Sequence, residues 1–431
     1  MKFSTLTLGC KVNQFETGAM ENILISNGHT PAKAGEGCDV CIINTCTVTA
    51  ISAGKSRKAI RRLKKLEPNA LIAVCGCLSQ LEPDEIISIG ADIIGGSGNR
   101  REFVNQIEKT HPCVLIDDPK TRKAVEELPV GVTPLCPTSR INAKTRTRAL
   151  LKIQDGCNNY CAFCVIPYAR GHSRSLPLQS IAAHAKLLSE QGFREIVITG
   201  IEISSYGKDL ADNPKLIDVL SKVSTAAPNA RIRLGSLDPG FITENFCKKI
   251  SKIANICDHF HLSVQSGCDE TLGRMGRKYK ANDVLAAISN LRTFFPNCGI
   301  TADLLVGFPG ETDDEFEKTK QFIKKAAFSD MHIFPFSLRP YTKAAKMPNQ
   351  VKKSVKTERA KAAASIATAM SLEFKQSQIG KTLDVLFERK RDGYWSGYST
   401  NYLEVSVIAK RSEITKNSVK QVKITSNTRF T

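Results

Sequence analysis

Three cysteines fall within eight positions of this chain, in Asp155-Gly156-Cys157-Asn158-Asn159-Tyr160-Cys161-Ala162-Phe163-Cys164. This loop follows an apolar run at 150–153 and opens a sustained alternation of short β-type runs with amphipathic helical ones. Strands are predicted at 150–153, 195–199, 231–234, 259–262, 301–306 and 332–335. Helices are predicted between them, at 178–191, 216–227, 243–253, 282–295 and 311–327. Strands alternating with whole helices favour a parallel sheet, because parallel neighbours need a long crossover connection that a tight hairpin cannot supply. Six βα units are too few for a closed eight-stranded barrel, so the central region is predicted as an open, partial (β/α)6 barrel. In such folds, ligand-binding residues gather at the strand C-termini.

The spacing of Cys157, Cys161 and Cys164 suits a [4Fe–4S] cluster, which normally takes four cysteines. Three close thiolates leave one iron open to an exchangeable ligand. A zinc site with a distant fourth ligand is the alternative, although no zinc-finger spacing follows. The amino and carboxylate groups of S-adenosylmethionine can chelate an open iron, bringing the sulfonium beside the cluster. One-electron cleavage of a carbon–sulfur bond then generates a radical able to remove a hydrogen that acid–base chemistry cannot. Candidate cofactor contacts lie at predicted strand ends: Gly200 and Glu202 in Thr199-Gly200-Ile201-Glu202, and Gln265 and Ser266 in Gln265-Ser266-Gly267. Asp303 precedes the turn Gly307-Phe308-Pro309-Gly310-Glu311 and joins them.

The first hundred residues have the same alternating character. Strands are predicted at 3–8, 39–43, 71–74 and 91–95, with helices at 13–27 and 53–66, giving a second parallel-sheet domain. Cys10, Cys46 and Cys77 each directly follow a predicted strand, and loops after parallel strands share one sheet edge. The three thiols could therefore converge on a second cluster. Burial as small core residues is the competing reading, because Cys38, Cys41 and Cys75 lie nearby and Cys75 could replace Cys77. The chain has 15 cysteines and no export-type leader, so the N-terminal stretch reads as a strand and the expected location is the cytoplasm.

Residues 106–146 are broken by prolines at 112, 119, 129, 134 and 137 and read as a linker wrapping onto the next domain. Residues 353–376 predict an alanine-rich helix. Short β runs at 383–388, 393–397 and 402–408 predict a small all-β barrel. With 61 Lys and Arg against 42 Asp and Glu, the net charge is +19, which favours an anionic partner. Lys55, Arg57, Lys58, Arg61, Arg62, Lys64 and Lys65 form a basic run without an acidic interruption. The tail 351–431 has net charge +9, and Arg389-Lys390-Arg391 stand near Tyr394, Trp395, Tyr398 and Tyr402. Cations interleaved with aromatics suit RNA phosphates and bases. No run of eighteen apolar residues argues for a membrane span.

The motifs TLGCKVNQFET, INTCTVTA, VCGCLSQ, LKIQDGCNNYCAFCVIPYARGHSRS, HLSVQSGCDETLGRMGRKY and ADLLVGFPGETDDEF together resemble the radical S-adenosylmethionine methylthiotransferases. The resemblance implies an N-terminal cluster domain (1–110), a linker (111–145), a radical domain (146–372) and a C-terminal RNA-binding TRAM-like domain (373–431). It implies two [4Fe–4S] clusters, held by Cys10, Cys46 and Cys77 and by Cys157, Cys161 and Cys164, with S-adenosylmethionine at the second. TLGCKVNQ and FPFSLRPYTKAAKMPNQV look most like the branch that adds a methylthio group to N6-threonylcarbamoyladenosine beside the tRNA anticodon. Sister branches act on N6-isopentenyladenosine or on a ribosomal-protein aspartate, and a non-enzymatic iron–sulfur tRNA-binding protein is the alternative outside catalysis. The implied partners are the tRNA anticodon stem-loop and an electron donor such as flavodoxin or ferredoxin, with the chain monomeric and away from membranes.

Overall fold

The computed structural model describes residues 1–131, 147–408, 414–426 and 428–430. Much of the expected linker, including Pro134 and Pro137, lies outside them. The N-terminal region is a six-stranded parallel sheet in the order Thr30–Pro31, Lys2–Thr7, Val40–Thr45, Leu71–Gly76, Ile93–Gly95, Cys113–Leu115. Every residue of Val40–Thr45 is buried, as a parallel strand covered by helices on both faces requires. The last strand falls within the stretch read as linker, because three residues flanked by turns leave too short a periodic signal.

Helices cover both faces of this sheet. Lys11–Ser26 and Arg100–Lys109 cover one, burying Met20, Leu24, Phe103 and Val104 against Phe3 and Ile42. Ala50–Leu66 covers the other, with Ala53, Ile60 and Leu63 packed on Ile43, Ile72 and Val74. Thr49 starts this helix by accepting a hydrogen bond from the Ser52 N–H at 3.0 Å, which satisfies one orphan donor of the first turn.

The central strands are Arg148–Lys152, Glu195–Thr199, Arg231–Leu234 continued as Ser236–Leu237, His259–Gln265, Gly299–Val306 and Asp330–Pro335. Their pairings are all parallel, and an Ile232–Ile256 bridge spans the break after Leu234. The (β/α)6 reading holds, and the barrel is open beside Arg148–Lys152. Helix Lys11–Ser26 packs at that side: Phe15 and Ala19 join Leu128, Ala149 and Leu151 in the barrel's own core. The helix at Lys353–Ser377 packs Ala363, Ala367 and Met370 into the same core, so it belongs physically to the barrel and runs past the expected boundary at 372.

The C-terminal region is a five-stranded antiparallel sheet, ordered Val419–Lys423, Thr382–Arg391, Tyr394–Ser399, Glu404–Ile408, Arg429–Phe430. It docks on the N-terminal end of the barrel. Arg231 donates to the Tyr398 carbonyl at 2.7 Å and Arg233 to the Thr400 carbonyl at 2.9 Å, while fully buried Glu195 pairs with both guanidiniums at 2.5 and 2.8 Å. Tyr402 stacks on His259 with centroids 4.4 Å apart and on Tyr398 at 4.9 Å. Tyr398 and Tyr402, read as base-stacking surfaces, are therefore spent on closing the barrel floor. Their rings lie under Arg148 and Arg233, each 4.8 Å away, so both tyrosines take their cation partners from the barrel. Among the described residues, no helix is long and apolar enough to cross a membrane.

Candidate functional site

The N-terminal thiols converge because of two glycines. Gly9 has φ +99°, and a Cβ there would lie 2.8 Å from the Cys46 sulfur. Gly76 has φ +111°, and a Cβ would lie 2.4 Å from the Thr45 carbonyl. Only glycine allows such close approach in this conformation, and it brings the loops bearing Cys10, Cys46 and Cys77 together. Asn13 ties two of them, its amide donating to the Leu8 carbonyl at 2.8 Å and the Thr45 carbonyl at 2.9 Å. Cys10 is exposed, whereas Cys46 and Cys77 are buried. Burial pushes the Cys77 thiol up to about 12, with Arg170 opposing the rise, and Cys46 is raised for the same first reason. Cys75 lies in the apolar layer with Phe3, Met20 and Phe103. The strand ends at Gly76, where φ +111° turns the chain into helix Cys77–Leu81, and this turn separates Cys77 from Cys75.

In the barrel, the Cys157 loop crosses the strand C-termini. Gly156 has φ +70°, and a Cβ would fall 1.9 Å from the His172 carbonyl. The Cys157 N–H donates to the Gly171 carbonyl at 3.1 Å, and the Cys164 N–H to the Cys161 carbonyl at 2.9 Å. Burial raises Cys157 to about 11 and Cys164 to about 12, so both stay protonated at neutral pH until a metal displaces the proton. Among the described residues, only His261, Asp303 and His332 bring three ligand-capable atoms all within 4.8 Å. The thiols of each triad are spread more widely.

Two arginines that sequence reasoning did not single out address these sulfurs. Arg277 donates to the Cys161 sulfur at 3.2 Å and to Asp238 at 2.9 Å. Arg170 donates to the Cys77 sulfur at 3.3 Å. Both lie inside recognisable motifs, but burial is what marks them, and one sequence does not report the burial of an arginine.

The candidate cofactor contacts divide. Glu202 borders the cysteine loop, accepting from the Asn159 amide at 3.4 Å, and burial followed by the Asp238 charge raises it. Gly200 packs on Gln154, whose side-chain oxygen accepts from the Ile201 and Glu202 N–H groups at 3.0 and 2.8 Å. Gln265 ends its strand with φ +69° after a register shift. Ser266 is buried and its hydroxyl turns to the Cys268 N–H at 3.2 Å, so it shapes the turn after the strand. Asp303 pairs with His261 at 3.2 Å, and His261 is buttressed by Thr301 at 2.8 Å. His332 lies opposite Asp303 on the neighbouring strand.

Residues 336–347 bridge the two cysteine regions. Ser337 accepts from the Ala50 N–H at 2.9 Å, Arg339 donates to the Thr47 hydroxyl, and the Ala344 N–H donates to the Ala162 carbonyl at 2.8 Å. The basic helix Ala50–Leu66 starts from this junction. Its cations are not equivalent: Arg57 is tied to Glu82 at 2.5 Å and Glu85 at 2.6 Å, and Lys64 to Asp92 at 3.1 Å. Lys55, Lys58, Arg61, Arg62 and Lys65 are exposed and carry no ion pair among the described residues.

Comparison with known proteins agrees with this arrangement. Residues 151–323 match the Radical SAM superfamily, and residues 2–96 match Uncharacterized protein family UPF0004. Threonylcarbamoyladenosine tRNA methylthiotransferase MtaB of Bacillus subtilis is 35% identical, the match covering 97% of this chain and 92% of that protein. The chain belongs to the radical S-adenosylmethionine methylthiotransferase family. The MtaB protein of Thermotoga maritima is 34% identical over 94% of this chain and 91% of its own length. A tRNA-2-methylthio-N(6)-dimethylallyladenosine synthase of Desulforamulus reducens is 32% identical over 89% of this chain and 83% of its own. The radical S-adenosylmethionine methyltransferase TsrM from Kitasatospora setae shares the fold, with TM-score 0.55, 15% identity and coverage of 92% of this chain and 80% of that one. As a radical S-adenosylmethionine methylthiotransferase, the chain has an iron–sulfur and S-adenosylmethionine site in its central domain.

Proposed function

We propose that this chain converts N6-threonylcarbamoyladenosine, next to the tRNA anticodon, to its 2-methylthio derivative. The observation that carries the reading is similarity over 97% of the chain to an enzyme named for that nucleoside, and three cysteines after strand ends in each of the two domains support it. In this reading Cys157, Cys161 and Cys164 hold one [4Fe–4S] cluster, and Cys10, Cys46 and Cys77 hold a second. S-adenosylmethionine supplies the methyl group and, at the barrel cluster, the one-electron chemistry that activates the adenine C2–H bond.

The protein's own part is positional. Glu202 and the backbone at Gly200 flank the cysteine loop where the cofactor's methionine end would lie, and Gln265 and Asp303 stand at or along neighbouring strands. Arg277 holds the Cys161 sulfur and orients the loop. Helix Lys11–Ser26 packs at the open side of the barrel, which keeps bulk water from that flank. Cys10, the exposed thiol of its triad, sits at the N-terminus of that helix, so the cluster it would help hold has a solvent-facing side at which the open iron could exchange sulfur. The exposed cations of Ala50–Leu66 meet tRNA phosphates beside the junction at 336–347. Electrons come from a flavodoxin- or ferredoxin-type donor, and the chain works as a cytoplasmic monomer with domains at about the sequence-read boundaries.

The test is nucleoside mass analysis of tRNA from cells with and without the protein. Loss of 2-methylthio-N6-threonylcarbamoyladenosine, with its unmodified precursor accumulating, supports the assignment. Persistence of that nucleoside together with loss of the methylthio form of dimethylallyladenosine would transfer the chain to the sister activity.

A further inference from the structure

Arg170 occupies an unusual place. Helix Ile166–Arg170 begins two residues after Cys164, and Arg170 is its last residue. Its side chain has 0% exposure, yet it contacts both domains. One terminal nitrogen donates to Glu16 at 2.8 Å and to both oxygens of Asp155 at 3.0 Å. The other donates to the Asn13 side-chain oxygen at 2.8 Å and to Glu16 at 3.1 Å. The remaining N–H points at the Cys77 sulfur, 3.3 Å away. Asn13 is the residue whose amide ties the loops before Cys10 and Cys46. A single guanidinium therefore reaches the Cys77 sulfur directly and the Cys10 and Cys46 loops through Asn13.

The same residue is bound to the barrel site. Asp155 accepts from the Gly156 N–H at 2.8 Å, immediately before Cys157. Gly171, the next residue after Arg170, accepts the Cys157 N–H at 3.1 Å. Gly171 is itself pinned, with φ +76° and the Pro119 carbonyl 1.9 Å from where a Cβ would be. Movement of Arg170 would thus displace ligand loops on both sides.

Its charge environment is also unbalanced. Around it, Arg100, Lys152 and Arg174, whose guanidinium donates to the Arg170 carbonyl at 3.0 Å, bring the buried cations to four, against the two carboxylates Glu16 and Asp155 that pair with Arg170. Lys152 joins the carboxylates at 2.8 and 2.6 Å and Arg100 joins Glu16 at 2.8 Å, so the anions are fully engaged. Positive charge is therefore in excess around the group, and the Arg170 N–H facing Cys77 is one of the donors with no carboxylate opposite it. A thiolate ligand of an anionic cluster supplies the missing negative charge. Hydrogen bonds and positive charge at a ligand sulfur stabilise the more negative, reduced state of an iron–sulfur cluster and raise its potential.

We propose that Arg170 is a positioning residue that couples the two cysteine sites and sets the reduction potential of the cluster at Cys10, Cys46 and Cys77. The proposal rests on those three cysteines being cluster ligands. Lysine cannot replace it fully, because a single ammonium lacks the planar fork needed to hold Glu16, Asp155, Asn13 and Cys77 at once.

The test uses the full chain with Cys157, Cys161 and Cys164 replaced by alanine, so that any remaining cluster is the N-terminal one. After anaerobic reconstitution, iron content and the EPR-monitored midpoint of a dithionite titration are compared for Arg170, R170K and R170Q. With Arg170 intact, about four irons per chain are expected; their absence would refute the ligand reading and overturn the proposal with it. With iron retained, R170Q is expected to move the midpoint to a more negative value with altered g-values, and R170K to move it less. Iron retained with midpoint and signal unchanged in both variants would overturn the proposal, since a merely structural arginine would change melting temperature alone. If R170Q does not fold, R170K and the pair R170Q/E16Q, which removes one buried carboxylate with the cation, carry the same two outcomes.

Discussion

Replacing Lys58, Arg61, Arg62 and Lys65 together with glutamine should weaken tRNA binding through the electrostatic term and leave the fold intact. All four side chains are exposed on helix Ala50–Leu66 and have no ion-pair partner among the described residues. Glutamine has nearly the helix propensity of lysine and arginine, so the helix itself should persist. Each phosphate contact contributes about 0.7 to 0.9 to the slope of log affinity against log salt, so losing four should flatten the slope by about 3. Over a fourfold change of salt, from about 200 to about 50 mM, the variant should then miss about sixty-fold of the gain that the unaltered protein makes. Arg57 supplies the internal control. Its guanidinium is held by Glu82 and Glu85, so Arg57→Gln should leave the slope unchanged while costing about 1 kcal/mol of stability, because the pair is partly exposed. Filter binding of unmodified tRNA across a salt series, with circular dichroism to verify folding, reads both effects. A four-residue variant whose slope equals that of the unaltered protein would refute the argument and make the helix a solvated face.

Other expectations follow from the buried groups. Glu195→Gln removes the counter-ion of buried Arg231 and Arg233 and should cost about 3–5 kcal/mol in urea unfolding, with proteolysis releasing the C-terminal sheet earlier; a loss under about 1 kcal/mol would contradict the docking account. Burial disfavours the charged form of Glu195, but Arg233 and Arg231 outweigh it and lower the group from 4.5 to about 2. Its contribution, about 3 kcal/mol by linkage, is present above pH 4.5 and lost as pH falls through 2, so the variant's deficit should be constant near neutrality and shrink in acid. Cys77→Ala should reduce reconstituted iron from about eight to about four per chain, whereas Cys75→Ala should retain about eight; equal losses would show that the apolar placement of Cys75 is misleading. Gly156→Ala puts a Cβ 1.9 Å from the His172 carbonyl at φ +70° and should empty the barrel site alone, leaving iron at about four per chain, and full iron content would show that the loop relaxes freely.

Much of this protein can be read from residue order because its signals are local. The spacing of Cys157, Cys161 and Cys164 is a property of one loop, and the alternation of strands and helices is a property of periodicity. Those two features sufficed for the partial barrel and pointed to open-iron chemistry, whereas the places of Cys10, Cys46 and Cys77 after strands left burial as core residues an equal reading until the family resemblance favoured a second cluster. The structure added what depends on distant segments meeting. Cys75 and Cys77 are two positions apart in sequence, yet one is enclosed with Phe3 and Met20 while the other meets Arg170, 93 positions away. Tyr398 and Tyr402 read as aromatics among cations, but only the docking against Arg148, Arg233 and His259 decides that they close the barrel floor. Likewise, the basic run at 55–65 is uniform in sequence, and only the approach of Glu82, Glu85 and Asp92 separates its neutralised cations from its free ones. Chemistry carried by short spacing was determined by the chain itself. Burial, charge balance and the link between the two cysteine sites were decided by tertiary contact, because desolvation and Coulomb energy depend on neighbours that sequence separation conceals.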